Sequence, residues 1–180
     1  IQEHLSSGKP LPAKPIIITF DDGGRDNWDA FLELKEQGFA AVFFVVTELL
    51  DDRTHLSTEQ LRIMSAAGME IGSHALHHYN LTRINLSAAE KEIKDSKVWL
   101  SALLQRPVIT FCYPYGGYNQ DTISLVKEAG YSFARTTQQG LAEISTSNYA
   151  LRSIRIHNFF SADLLARTLE GYGTYIALRQ

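Results

Sequence analysis

The amino-acid sequence predicts an α/β fold built on a parallel sheet. Short apolar runs rich in β-branched residues alternate with amphipathic helical patterns, and no internal repeat or low-complexity segment interrupts them. Polar residues recur where the apolar runs end. Such a series closes either as a (β/α) barrel or as an open doubly wound sheet, and both architectures bind ligands at the carboxyl ends of their strands.

Six runs of residues predict the strands of this sheet. The first two are almost entirely apolar and β-branched or aromatic, as expected for strands that are buried on both faces. The predicted strands are residues 16–20, 41–46, 69–71, 108–112, 131–136 and 154–157.

Helical patterns separate these runs, and most of them begin with a capping residue. A serine followed three residues later by Gln or Glu is a capping-box pattern, and it occurs before two of the helices. The predicted helices are residues 28–37 ending at Gly38, 58–67 after Ser57, 88–104 after Ser87, a helix from the Asn119 cap to Gly130, and a helix from the Ser161 cap to about residue 170.

The chain length of 180 residues predicts one domain that spans residues 1–180, because it can bury one core and is too short to suggest two. A hydrophobic content of 44% and a charged content of 21% argue against disorder, coiled coils and fibrous repeats. Cys112 is the only cysteine, which excludes an internal disulfide and a thiolate zinc cluster.

Charge and hydropathy restrict the partners of the chain. A net charge of -3 leaves no broad basic surface for a phosphate backbone, so we expect no nucleic-acid partner. We expect no transmembrane segment, because no apolar run approaches the roughly 18 to 20 residues that span a bilayer. The first residues also lack the basic and apolar segments of a signal peptide. The sequence leaves the oligomeric state open.

Polar clusters follow four of the predicted strands, so the fold is expected to bring them to one rim. The clusters are Asp21 and Asp22 after the first strand, His74 and His78 after the third, Tyr113 to Tyr115 after the fourth, and His157 at the end of the last.

The adjacent carboxylates of Asp21 and Asp22 repel each other at a strand end unless a positive charge lies beside them. A bound cation is the simplest source of that charge, and an ordinary Asp-Gly turn is the alternative interpretation. His74 and His78, spaced i and i+4, can present two imidazole nitrogens to one point if the segment turns. His77 is expected to point elsewhere, and a surface or buried structural histidine cluster is the alternative.

Two histidines and one carboxylate leave open positions on a metal ion, as in catalytic zinc sites. The ion activates water there, and a second carboxylate that does not bind the metal can accept the proton. The loop from Tyr113 to Gly117 can supply backbone N–H groups for an oxyanion, and His157 can protonate the departing amine. A simple turn and a structural histidine are the alternatives for these two elements.

These motifs resemble the polysaccharide deacetylases of carbohydrate esterase family 4, also called the NodB homology domain. The run Thr19-Phe20-Asp21-Asp22-Gly23 is similar to that family's first motif, and His74 to His78 to its histidine motif. The flanking residues 70–73 and 80–82 match as well, and the likeness covers nearly the whole chain.

The resemblance implies a distorted or incomplete (β/α) barrel of about six or seven parallel strands. It implies a divalent metal ion on Asp22, His74 and His78, with Asp21 as general base. Zn²⁺ is the expected ion, and Co²⁺ or Ni²⁺ suits the same ligands. The implied location is extracytoplasmic, meaning periplasmic, secreted or on the cell surface.

The third motif departs from the family pattern. It usually reads Arg-Pro-Pro-Tyr, but residues 112–115 here read Cys-Tyr-Pro-Tyr, so only Pro114 and Tyr115 carry over. The resemblance implies that the Tyr115 N–H helps to hold the oxyanion. The missing arginine ordinarily orients the base, so another residue must do so or the base is less well tuned. Ala75 and Tyr79 also depart from the family pattern, and neither is a ligand.

The late element of the family corresponds to residues 154–158, which makes His157 the expected catalytic acid. The form of residues 111–118 resembles the branch that acts on β-1,6-linked poly-N-acetylglucosamine of biofilm matrix. The alternatives are a chitin or peptidoglycan deacetylase, a carbohydrate-binding domain of the same fold that has lost turnover, and a metal-dependent amidase on small molecules. Candidate aromatics for stacking on sugar rings are Tyr79, Tyr113, Tyr115 and Tyr118, whereas Trp28 is expected in the core.

Overall fold

A computed structural model describes residues 15–142, 147–156 and 161–177, with side chains described as far as residue 170. The described residues fall into two compact units. One unit runs from Thr19 to Arg155 and contains the residues of every predicted site except His157. The other consists of the segments on either side of it.

The described strands form one six-stranded sheet in which each strand lies beside the next one along the chain. The strands are parallel and form a half-barrel flanked by helices, so the fold is an incomplete (β/α) barrel, as predicted. The strands are β1 (Ile18–Phe20), β2 (Ala41–Val45), β3 (Glu70–Ser73), β4 (Thr110–Cys112), β5 (Phe133–Gln139) and β6 (Leu151–Ser153).

Five α-helices are present in the described residues, and their order among the strands is as predicted. They are α1 (Asn27–Glu36), α2 (Thr58–Ala66), α3 (Leu86–Leu104), α4 (Gln120–Glu128) and α5 (Ala162–Ala177), with short 3₁₀ turns at Thr47–Leu49, Leu81–Arg83 and Pro114–Gly116. Among the described residues, no helix combines the length and the apolar character that crossing a bilayer requires.

The N-caps of three helices agree with the sequence, and one differs. At the start of α5 the Ser161 Oγ accepts the Leu164 N–H at 3.1 Å. Ser57 and Gln60 form the reciprocal capping box of α2, and Asn119 caps α4. The prediction that Ser87 caps α3 was wrong, because the Asn85 Oδ1 accepts the Ala88 N–H at 2.8 Å. Asn85 has the extended backbone of a cap, so α3 begins at Leu86 and includes Ser87 in its first turn.

All six strands differ from the predicted ranges by at least one residue, and the differences in the last and first strands bear most on the site. The last strand is Leu151–Ser153 and not residues 154–157, because Leu151 pairs with Arg135 of β5 and Ser153 pairs with Gln139 across an irregularity in the register. Residues 154–156 are therefore not part of a strand, and His157 lies outside the described residues. The first strand begins at Ile18 and is only half-buried, since it lies at the edge of the sheet.

The core lies beneath the central strands and positions the site. In β2, Phe43 and Val45 are fully buried, and Phe111 of β4 is fully buried as well. Helix α3 covers this region with a face whose buried positions recur every three or four residues, at Ala89, Glu92, Ile93, Ser96 and Leu100. Each large apolar side chain on such a face contributes about 1.5 to 3 kcal/mol when fully buried.

Candidate active site

Asp22, His74 and His78 lie together at the carboxyl ends of β1 and β3. The Asp22 Oδ1 is 3.3 Å from the Nε2 atoms of both histidines, and the two Nε2 atoms are 3.2 Å apart. The centre of such a triangle is about 1.9 Å from each corner, just inside the roughly 2.0 to 2.2 Å of zinc bonds to nitrogen and oxygen. The three donor atoms are therefore close enough together for Asp22, His74 and His78 to hold one divalent ion.

The His74 ring is fixed in the orientation that a metal ligand needs. Its Nδ1 lies 2.7 Å from the Cys112 carbonyl oxygen, which can only accept a hydrogen bond. The Nδ1 therefore carries the hydrogen, and neutral His74 presents a lone pair on Nε2 to Asp22 and His78. Because the ring is buried, this contact with β4 determines its direction.

The electrostatics of the three residues favour one positive charge among them. Burial opposes a charge on His74, but Cys112, Asp22 and Asp21 outweigh burial and raise the pKa of His74 to about 10. Burial and the charge of His74 lower the pKa of His78. In the absence of an ion, His74 is therefore the imidazole that carries the additional proton. A divalent cation would replace that proton when it binds.

Four residues in or beside the site have a left-handed backbone conformation. Asp22, Ala75, His78 and Tyr115 have φ between 59° and 68°, in the left-handed region that residues other than glycine rarely adopt. Each such residue costs on the order of 1 kcal/mol, and strain of this kind clusters at functional sites. These four are a majority of the non-glycine residues with positive φ in the described part of the chain.

The carboxylate of Asp21 is held by Arg135, which sequence reasoning missed. The Arg135 Nη2 contacts both oxygens of Asp21. In the sheet register Arg135 of β5 pairs with Cys112 of β4, the position at which the family pattern has its arginine. The Arg135 guanidinium thus reaches the Asp21 carboxylate from β5. The sequence signal was a single positively charged residue inside a predicted strand. The structure adds that its neighbours Ala134 and Thr136 are buried.

Arg135 is itself firmly positioned. Its side chain is 13% exposed, its Nη1 donates to the Ser153 Oγ at 3.0 Å, and its guanidinium lies 5.5 Å from the centre of the Phe44 ring. The planar guanidinium keeps its charge when buried. Asp21 therefore faces a fixed cation, whereas Asp22 faces the two histidines.

A second set of potential ligands, Asp21, His74 and Cys112, also has its donor atoms within 4.8 Å of one another. The Arg135 Nη2 lies 3.2 Å from the Cys112 Sγ and contacts Asp21, so a metal ion here would meet a fixed positive charge. The Nδ1 of His74 is also engaged by the Cys112 carbonyl. The set with Asp22 and His78 is therefore the better metal site.

The loop after β4 borders the ligands. The Tyr115 ring centre is 4.6 Å from that of His78, and the side chain is 66% exposed. The N–H groups of Tyr113, Gly116 and Gly117 are bonded to carbonyl oxygens of the protein. Of the loop's N–H groups, that of Tyr115 is therefore the remaining candidate for a substrate oxyanion.

The four tyrosines that were predicted to stack on sugar rings differ in their exposure. Tyr79 is exposed and stacks on His77, with ring centres 5.4 Å apart. Tyr113 cannot stack on a sugar, because it is fully buried and its hydroxyl donates to the Tyr149 carbonyl. Tyr118 is half-buried against Tyr113. Trp28 is half-buried and packs on Phe31.

The fold and these residues together define an incomplete (β/α) barrel with a candidate two-histidine, one-carboxylate metal site at its strand ends. Residues 8–134 match the family model described as polysaccharide deacetylase. YxkH of Bacillus subtilis (strain 168) is 30% identical over 167 residues, which are 92% of this chain and 60% of YxkH. The chain belongs to the polysaccharide deacetylase family.

Further relatives agree with this assignment. The poly-beta-1,6-N-acetyl-D-glucosamine N-deacetylase of Staphylococcus epidermidis is 28% identical over 171 residues, covering 87% of this chain and 59% of that protein. The structure of the Streptococcus pyogenes deacetylase PplD in complex with acetate gives a TM-score of 0.86 at 30% identity, over 93% of this chain and 75% of PplD. The chain spans about 60% of the length of the curated relatives it matches.

We predict that His78→Ala weakens zinc binding by more than the roughly 10- to 100-fold that is typical of losing an outer partner of a metal site, because it removes one of the three candidate ligands. Zinc affinity is measured by competition with a chelator and zinc content by elemental analysis. The matched control is His55→Gln, since His55 pairs with Asp52 and is outside the three-residue set. Equal zinc affinity in wild type and His78→Ala would contradict the assignment.

Proposed function

We propose that this chain is a metal-dependent N-deacetylase that hydrolyses the acetamide groups of N-acetylglucosamine residues in a polysaccharide. The observation that carries the proposal is the pairing of two adjacent acids with two different partners. Asp22 lies against His74 and His78, and Asp21 lies against Arg135. Family membership supports the same reaction.

The proposed roles follow from these partners. A divalent ion on Asp22, His74 and His78 would polarise the acetyl carbonyl and lower the pKa of a water molecule. Zn²⁺ is the proposed ion on ligand type, with Co²⁺ and Ni²⁺ as alternatives. Asp21 does not belong to that set, so its carboxylate is available to accept the proton of the attacking water.

The remaining groups act on the other atoms of the amide. The Tyr115 N–H donates a hydrogen bond to the oxygen that becomes negative when water adds to the carbonyl carbon. His157, which lies outside the described residues, gives a proton to the nitrogen as the C–N bond breaks. The products are acetate and a free amine on the sugar, so water supplies all the atoms that are added.

The open rim supports a polymeric substrate. The Asp22 side chain is 60% exposed, and Tyr115 and Tyr79 next to the ligands are also exposed. A site that is accessible in this way suits a chain of sugars better than a small amide enclosed in a pocket. Exposed tyrosines offer flat apolar faces on which sugar rings can pack.

We propose biofilm poly-β-1,6-N-acetylglucosamine as the substrate, on an extracytoplasmic protein whose deacetylase domain includes residues 1–180. The relative from Staphylococcus epidermidis is named as a deacetylase of that polymer, and residues 111–118 have the same resemblance. The alternative of a domain that has lost turnover depended on the missing motif arginine and on the uncertain catalytic acid. Because Arg135 contacts Asp21, the first of these reasons no longer holds.

The proposal predicts faster acetate release from β-1,6-linked N-acetylglucosamine oligomers than from chitin oligomers of the same length. Equal or faster release from chitin would reject the β-1,6 assignment.

Asp21→Asn should lower kcat by about 10²- to 10⁴-fold, because it removes the base. Zinc content should not change, since Asp21 is not a ligand. Undiminished kcat in Asp21→Asn would reject Asp21 as base.

Arg135→Met is predicted to lower kcat by roughly 100-fold, the scale expected when a catalytic group loses its orientation by about 1 Å. Arg135→Lys should recover only part of the loss, because lysine keeps the charge but not the planar fork. Acetate release, zinc content and thermal unfolding are measured for both variants. Wild-type kcat in folded Arg135→Met would show that Asp21 needs no such partner.

A further inference from the structure

Glu92 is the one carboxylate that the fold buries almost completely among the described side chains, at 5% exposure. It lies on the buried face of α3 between Ala89 and Ile93. A carboxylate is rarely buried unless its oxygens are paired, because removal from water is costly. The partners of Glu92 therefore show why a charge is kept at this position.

Within the described part of the chain, the hydrogen-bond partners of Glu92 all belong to the turn that joins the two candidate histidine ligands. The Glu92 Oε2 accepts the N–H groups of Leu76 at 3.1 Å and His77 at 2.8 Å. The Glu92 Oε1 is 2.6 Å from the His77 Nδ1. One side chain thus binds the turn at three points, from a helix that begins well after it in the sequence.

This explains why His77 is not a ligand although it stands beside His78. Its imidazole is directed to Glu92 and stacks on Tyr79, away from the Asp22 carboxylate. The other side of the turn is held through its carbonyl groups. The Ala75 carbonyl accepts the Thr47 N–H and hydroxyl, both at 3.3 Å, and the Leu76 carbonyl accepts the Glu48 N–H at 3.0 Å.

The turn needs such support because its backbone is strained. Ala75 and His78 both have left-handed φ, at 67° and 62°. The Ala75 side chain has no polar group that could stabilise this conformation. A turn with two unfavourable residues relaxes if its hydrogen bonds are lost, and the His78 Nε2 would then move away from its position 3.2 Å from the His74 Nε2.

We propose that Glu92 is a positioning residue for the metal site, which fixes the turn from His74 to His78 so that both imidazoles meet Asp22 before an ion binds. The inference rests on the proposed metal-dependent function. Its effect on affinity comes from preorganisation, because an ion binding to a relaxed turn must first restore the strained conformation. Outer partners of metal ligands typically change affinity by about 10- to 100-fold.

The test compares Glu92→Ala, Glu92→Gln and Glu90→Ala. Glutamine has the shape of glutamate, so its oxygen can accept both N–H groups and its NH₂ can donate to the His77 Nδ1 in the other tautomer. Glu90→Ala is the matched control, because Glu90 is on the same helix, is half-exposed and pairs with Lys94. All three variants remove the same charge.

We expect Glu92→Ala to weaken zinc binding by about 10- to 100-fold, as measured by chelator competition. The visible absorption spectrum of the Co²⁺-loaded protein should also change, because the spectrum reports the ligand geometry. Glu92→Gln should keep most of the affinity and the wild-type spectrum, and Glu90→Ala all of both. If the negative charge of Glu92 mattered and its hydrogen bonds to the turn did not, Glu92→Gln would instead lose as much zinc affinity as Glu92→Ala.

His77→Ala provides a second route if Glu92→Ala does not fold, since it removes one of the three contacts and leaves the two backbone bonds. We expect a measurable loss of zinc affinity in this variant relative to the wild type, below the roughly 10- to 100-fold predicted for Glu92→Ala, and a shifted cobalt spectrum. Wild-type affinity and spectrum in folded Glu92→Ala or in His77→Ala would overturn the positioning role alone. A wild-type protein that binds no zinc would overturn the proposed function and this inference with it.

Discussion

Three donor atoms from two distant parts of the sequence converge on one point, and the rest of the site is arranged around them. The Asp22 carboxylate and the two imidazoles lie 3.2 to 3.3 Å apart. A different local feature aims each of these side chains. Asp22 has a left-handed backbone just after β1, the Cys112 carbonyl fixes the His74 ring, and Glu92 holds the turn that ends at His78. The sheet supplies only the rim on which these features meet.

Two adjacent acids can have different roles because the fold gives them different positive partners. Asp21 is matched by a guanidinium from β5, and Asp22 is matched by imidazoles and, in the proposed function, by a metal ion. Environments that separate neighbouring carboxylates in this way are a common route to distinct acid and base roles in enzymes. Arg135 is buried beside Asp21, so the charge of its guanidinium would repel a second metal ion there. Asp21 therefore stays paired with Arg135, and Asp22 stays paired with the imidazoles.

Local sequence predicted the alternation of strands and helices, and the spacing of Asp22, His74 and His78 predicted which side chains would meet. The partner of Asp21 could not be found in this way, because it depends on the register that sets Arg135 beside Cys112. The role of Glu92 depends likewise on how α3 packs over the turn. Tyr113 was assigned to the sugar site from its place in a motif, but the core takes up its ring.

The central claim is that one divalent ion is bound by two imidazole nitrogens and one carboxylate oxygen at this rim. X-ray absorption spectroscopy of the zinc-loaded protein measures the ligand elements and distances directly. The account predicts one zinc per chain, with nitrogen and oxygen ligands only, at about 2.0 to 2.2 Å. A sulfur ligand at about 2.3 Å would place the ion on Cys112 and contradict the account, as would a protein that holds no zinc.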